Sequence, residues 1–180
     1  MHHDHDMGES VMPRLKKCGK AVRIYGLAKI VNPETIEIGD GSMIDDFTFI
    51  YGGKGIIIGR YVHIASFVSI IGGGELVVGD YADIACGSRI LTGTDTYKGG
   101  RRMSSALPYE QRSVVRGTVV IERDAFIGTN VVVHPNVTIG EGAVIGSNSL
   151  VLQDIEPWTV NVGSPCQKIG QRPRVHLQEV

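Results

Sequence analysis

Residues 121–151 read IERDAFIGTNVVVHPNVTIGEGAVIGSNSLV, with an aliphatic residue at every sixth position: Ile121, Ile127, Val133, Ile139, Ile145 and Val151. The same column runs through the first half of the chain as Cys18, Ile24, Ile30, then Ile38, Ile44, Ile50, then Ile58, Ile64, Ile70, then Val78, Ile84, Ile90. In that half each set of three hexads is followed by two extra residues, so that Ile38, Ile58 and Val78 stand twenty apart. Three short strands make one triangular coil, and stacked coils make a solenoid whose open edges lie only at its ends.

A second column fixes the register. Four residues after the anchors stand Ser42, Val62, Val68, Ala82, Ser88, Ala125, Val131, Ala143 and Ser149, small or β-branched residues that suit a cramped inner corner. Glycine often follows the anchor, as at Gly39, Gly59, Gly79, Gly128, Gly140 and Gly146, where the backbone needs either an unusual conformation or a close approach. With only 6 % aromatic residues the core must be built from aliphatic layers, and no stretch sustains the spacing of a long amphipathic helix. The pattern predicts an all-β chain with one parallel β-helix of about six coils. Its parts are an N-terminal tail at 1–22, a solenoid over 23–156 with an inserted loop at 92–118, and a cap and tail at 157–180.

Composition excludes several classes of function. A net charge of −1 gives no basic field for nucleic acid. No apolar run is long enough to span a bilayer, and the start MHHDHDMGES lacks the apolar core of a signal peptide, so the protein is expected in the cytoplasm without membrane insertion. Cys18, Cys86 and Cys166 are far apart and odd in number, which suggests neither a disulfide framework nor a thiolate metal site. The cluster His2, His3 and His5 reads as a terminal tail rather than a metal centre.

The repeat breaks once, at LTGTDTYKGGRRMSSALPYEQRSVVRGTVV between Ile90 and Ile121. Long excursions from a regular scaffold tend to carry function. Between Thr96 and Gly117 this one holds Lys98, Arg101, Arg102, Arg112 and Arg116 against Glu110 alone, so it is locally basic and suited to an anionic ligand. Tyr97, Arg101, Arg102 and Arg112 are its candidate substrate-binding residues.

The segment VTIGEGAVIGSNSLV at 137–151 and the ending DIEPWTVNVGSPCQKIGQRPR resemble the hexapeptide-repeat acyltransferase superfamily over about residues 22–170. The resemblance implies a left-handed helix, a homotrimer with active sites between subunits, acetyl-CoA as co-substrate and no metal. Many sugar acetyltransferases of this superfamily begin the loop with a motif like LTxTHP, whose histidine is the general base. Here Leu91-Thr92-Gly93-Thr94-Asp95-Thr96 places Asp95 at that position. Thr94-Asp95-Thr96-Tyr97 and Val119-Val120-Ile121-Glu122 look closer to the branch of galactoside and polysaccharide acetyltransferases. On the donor side the resemblance carries over Thr129, Gly146 and Ser147 along the pantetheine channel, with Lys168 and Arg172 toward the coenzyme phosphates. Gln153 stands where many relatives have lysine. Pro157 and Trp158 are expected to cover the last coil.

Register turns His63 and His134 outward, between or beside the inward residues Val62, Ile64 and Val133, which makes both candidates for the base beside Asp95. Asp95 and His63 fall on different faces and could meet only across a subunit interface. The reading is an acetyl-CoA-dependent acetyltransferase acting on an amine or hydroxyl of a sugar, either a nucleotide-linked amino sugar or a lipopolysaccharide or polysaccharide precursor. A non-catalytic scaffold is the alternative. A γ-type carbonic anhydrase would need three converging histidines.

Overall fold

The computed structural model describes residues 10–176. Short strands fall on three flat faces joined at corners. Among the described residues, the first face runs from Lys17–Cys18 through Ile36–Ile38, Gly55–Ile58, Glu75–Val78 and Thr118–Ile121 to Thr138–Ile139. The second starts at Arg23–Ile24 and the third at Lys29–Val31. The first and third faces hold six strands each. The second holds eight, the last of them, Gln167–Gln171, antiparallel to Thr159–Val162. Six full coils and a seventh rung on one face result. No helix is long and apolar enough to cross a membrane, among the described residues.

Each coil bonds to the next through its backbone. Gly19, Gly39 and Gly59 donate to the carbonyls of Ile38, Ile58 and Val78, all at 2.8 Å. Ile58, Ile64, Ile70, Val78, Ile84, Ile90 and their successors fill the interior, and each buried isoleucine contributes about 2 kcal/mol of transfer free energy. The second column is buried throughout, and its hydroxyls find backbone partners. Ser88 donates to the Gly128 carbonyl at 2.8 Å and accepts from the Val131 amide at 3.2 Å, and Ser42 does the same between Gly59 and Val62.

The glycines after the anchors are needed for space. None of Gly39, Gly59, Gly79, Gly128, Gly140 or Gly146 has a positive φ, whereas a Cβ on Gly39 would stand 2.6 Å from the Gly59 carbonyl carbon. At the first two corners the left-handed residues instead come three positions after an anchor. They are Ala21, Gly41, Tyr61, Tyr81, Asp124 and Gly142 at the first corner, and Phe47, Phe67, Gly87, Asn130 and Asn148 at the second. An aromatic residue in that conformation costs about 1 kcal/mol relative to glycine. Trp158 takes it too (φ 59) and lies buried against Gly142 under the guanidinium groups of Arg172 and Arg174, which closes the end of the solenoid.

The third corner is where coil length varies. The first three coils carry two extra residues there, such as Gly52-Gly53 and Gly72-Gly73, and Ile121 to Ile139 spans eighteen positions against twenty for Ile58 to Val78. The long loop leaves from this corner on the fourth coil.

Candidate active site

Thr92 anchors the start of the loop: its buried hydroxyl donates to the Ile71 carbonyl and accepts from the Gly74 amide, both at 3.0 Å. Two short antiparallel strands, Gly93–Asp95 and Val114–Arg116, then stand out from the corner, pairing Gly93 with Arg116 and Asp95 with Val114. The side chain of Asp95 is largely buried and accepts two hydrogen bonds from Arg112, from Nε at 3.1 Å and Nη2 at 2.8 Å. That bond pushes the Arg112 guanidinium above its ordinary range.

Arg101 and Arg116 serve the loop as well. Arg101 donates to the carbonyls of Glu110 (2.9 Å) and Arg112 (3.3 Å), Arg102 forms a backbone bridge to Arg112, and the Arg116 guanidinium lies 5.6 Å from the centre of the Tyr109 ring. Tyr97 is 77 % exposed at the tip side of the loop. The basic composition read from the sequence therefore divides into Arg101, Arg112 and Arg116, whose side chains contact the loop itself, and Lys98 and Arg102, which face solvent.

His134 follows the strand Val132–Val133 one rung beyond Arg89–Leu91, the strand from which the loop departs. It is half-buried, and its imidazole makes no hydrogen bond among the described residues. His63 sits elsewhere, on the second face, as the register predicts. Asp83 Oδ2 lies 3.3 Å from its Nδ1 and Asp45 Oδ2 lies 3.1 Å from its Nε2. The hydrogen bond to Asp83 and then that to Asp45 push its pKa up to about 9 against the opposing effect of burial. Both ring nitrogens are engaged by carboxylates, an arrangement that favours the imidazolium form. No motif in the sequence marks the two aspartates. Asp83 could have been found from the twenty-residue period, which puts it directly across from His63.

The donor-side residues lie at the second corner and beyond the last coil. Thr129 and Ser147 are exposed on successive coils, and the Asn148 amide donates to the Thr129 carbonyl at 2.9 Å. Gly146 is half-buried, and a Cβ there would press on Val162. Lys168 is paired with Glu156 at 2.7 Å beside a cleft of about 310 Å³ that also presents Gln153 and Asp154. Arg172 turns inward, donating to the carbonyls of Asp124 (2.7 Å) and Gly142 (3.1 Å). Within one chain the loop at the third corner and the exposed row at the second corner are separated by the third face. The structure joins Asp95 with Arg112 but neither of them with His63, Lys168 or Arg172.

Comparison with known proteins is consistent along the chain. Residues 118–153 match the family described as bacterial transferase hexapeptide (six repeats). The chain is 38 % identical over 164 residues, 91 % of its own length and 85 % of the relative's, to dTDP-4-amino-4,6-dideoxy-D-glucose acyltransferase of Escherichia coli. A crystal structure of a variant of AntD, an N-acyltransferase from Bacillus cereus, in complex with dTDP-4-amino-4,6-dideoxyglucose and coenzyme A, superimposes with a TM-score of 0.89 at 31 % identity, covering 97 % of this chain and 93 % of that one. Chloramphenicol acetyltransferase of Klebsiella aerogenes shares 46 % identity over 69 residues, 38 % of this chain and 31 % of that enzyme. The six-residue repeat matches the family model, the identity to the Escherichia coli acyltransferase extends over most of both chains, and the chain belongs to the hexapeptide-repeat acyltransferases.

Proposed function

We propose that the protein transfers an acyl group from acyl-CoA, acetyl-CoA being the expected donor, to the amine of a nucleotide-linked amino sugar, in clefts between the subunits of a homotrimer. The observation that carries this reading is Asp95, a carboxylate held by Arg112 at the root of the loop in place of a histidine. A hydroxyl acceptor calls for a base that strips its proton during attack, whereas an unprotonated amine attacks with its own lone pair. The new C–N bond forms as the carbonyl pair moves to oxygen. Collapse of that adduct breaks the C–S bond, and coenzyme A leaves as a thiolate, a good leaving group since thiols titrate near roughly 8.5. Asp95 takes the proton from the ammonium nitrogen and returns it to the sulfur.

The long relatives support an amine acceptor, since the Escherichia coli protein is named for dTDP-4-amino-4,6-dideoxy-D-glucose and AntD is an N-acyltransferase. The trimer is supported by the placement of loop and donor row at opposite edges of the third face, so that one subunit's loop can reach its neighbour's donor row. Three unpaired cysteines suit a reducing cytoplasm.

The test is a thiol-release assay on the full chain with acetyl-CoA and dTDP-4-amino-4,6-dideoxyglucose. Turnover is expected, with Asp95→Asn lowering kcat by about 10²-fold or more and leaving coenzyme A binding intact. Asp95→Asn at full activity would remove Asp95 from the mechanism. Failure to bind coenzyme A would overturn the reading.

A further inference from the structure

At the second corner each coil from the second to the sixth carries one residue in the left-handed region: Phe47 (φ 63), Phe67 (φ 64), Gly87 (φ 74), Asn130 (φ 56) and Asn148 (φ 59). Glycine and asparagine enter that region readily, and three of the coils use them. Two successive coils place phenylalanine there instead. The rings stack with centroids 5.2 Å apart and 8° between their planes, yet they remain 54 % and 59 % exposed, so burial within the chain does not offset the strain.

The first corner shows what a purely structural column looks like. Tyr61 and Tyr81 stack at 5.6 Å, but the ring of Tyr61 lies on the backbone at Gly41 and the Arg123 guanidinium lies 5.0 Å from the centre of the Tyr81 ring. Both ends of that stack are occupied. The phenylalanine column ends differently, because the next coil contributes Gly87, which puts no side chain over Phe67. The carboxamide of Asn130 overhangs this rung from the coil beyond, so a Cβ at Gly87 would collide with it. Beside the gap, Arg89 donates to the Gly87 carbonyl and pairs with no carboxylate among the described residues. The same corner, one and two coils further on, carries Thr129 and Ser147.

An exposed aromatic stack, a carboxamide overhanging the next rung and a guanidinium with no carboxylate partner among the described residues match a nucleoside diphosphate: a base to stack, edges to hydrogen-bond and phosphates to pair. We propose that Phe67, supported by Phe47, stacks the base of the nucleotide-linked acceptor, and that Arg89 pairs with its diphosphate. This assignment rests on the acyltransferase reading and specifies where its acceptor is gripped, on a corner the loop arginines do not line.

The experiment is calorimetric titration of the full chain with dTDP and, separately, with coenzyme A. Phe67→Asn removes the ring while keeping a residue that Asn130 and Asn148 show to be at ease in this backbone, and Phe67→Tyr retains the stack. We expect Phe67→Asn to weaken dTDP roughly tenfold or more, Phe67→Tyr to bind as the parent does, and Arg89→Ala to weaken dTDP and flatten its salt dependence, with coenzyme A affinity unchanged in all three. If the parent binds both ligands and Phe67→Asn leaves dTDP affinity within about twofold, less than the loss of a stacked base, the platform is refuted while the acyltransferase reading stands. If Phe67→Asn dissociates the oligomer in light scattering and both ligands are lost together, the phenylalanines are interface residues and the proposal is overturned. A parent that binds coenzyme A but neither dTDP nor any other nucleoside diphosphate refutes the nucleotide-linked acceptor itself.

Discussion

The Asp95 carboxylate is clamped edge-on by the Arg112 guanidinium, through Nε at 3.1 Å and Nη2 at 2.8 Å, across seventeen residues of loop. Two parallel hydrogen bonds fix the plane of the carboxylate as well as its position.

Arg112→Lys keeps the charge and loses the fork. We expect kcat to fall by roughly tenfold or more as the carboxylate loses its orientation, with coenzyme A affinity unchanged and little change in Tm, because the pair lies outside the stacked coils. The thiol-release assay and a thermal melt on the same preparation check this. A fall in Tm that parallels the loss of rate would assign the pair to stability alone.

His63 makes stability depend on pH. Its folded pKa of about 9 lies above the ordinary value of 6.5, so the stabilisation is fully present below about pH 6.5 and is lost as pH rises through about 9. The shift would be worth about 3 kcal/mol unscreened, and solvent around the partly exposed ring reduces it to on the order of 1 kcal/mol. Urea unfolding of the parent and of His63→Asn at pH 6 and pH 9 should show the gap between them closing by about that amount; a gap independent of pH would contradict the charged triad.

Gly39→Ala is expected to destabilise by about 1–3 kcal/mol, since its Cβ must enter the backbone of the next coil at Gly59, where nothing flexible can yield. Gly170→Ala meets nothing within 4 Å and has no left-handed backbone, and it should be neutral or stabilising by a few tenths of a kcal/mol. Equal effects in paired denaturant melts would refute the close-approach account.

Ser88→Ala leaves the Val131 amide buried without an acceptor and should cost about 1–3 kcal/mol. Amide hydrogen exchange supplies a second readout, since protection at Val131 should fall ahead of its neighbours.

The solenoid was legible because every coil repeats the same demand: an aliphatic anchor such as Ile64 and a small inner residue such as Ser88 must recur at fixed spacing or the layers do not stack. Long-range side-chain relations were less so. The twenty-residue period could have matched Asp83 to His63, but the pairing of Asp95 with Arg112 depends on loop conformation, which no repeat dictates. Position in the terminal motif marks Arg172 as a phosphate-ligand candidate, but its bonds to the carbonyls of Asp124 and Gly142 are set by how the terminal strand folds back, which the motif does not specify. Nor does any spacing rule anticipate Phe47 and Phe67 in a conformation usually left to glycine and asparagine.

Variable length at the third corner gives the molecule a place to evolve. A residue inserted in any other hexad would throw the anchors above and below it out of alignment, whereas this corner already accepts Val133 to Val137 in four steps, Ile50 to Ile56 in six, and an excursion from Leu91 to Thr118 in a single coil. Lengthening, shortening or exchanging the segment between those last two residues leaves every ladder intact, so selection can reshape what the enzyme accepts without disturbing the solenoid on which it is mounted.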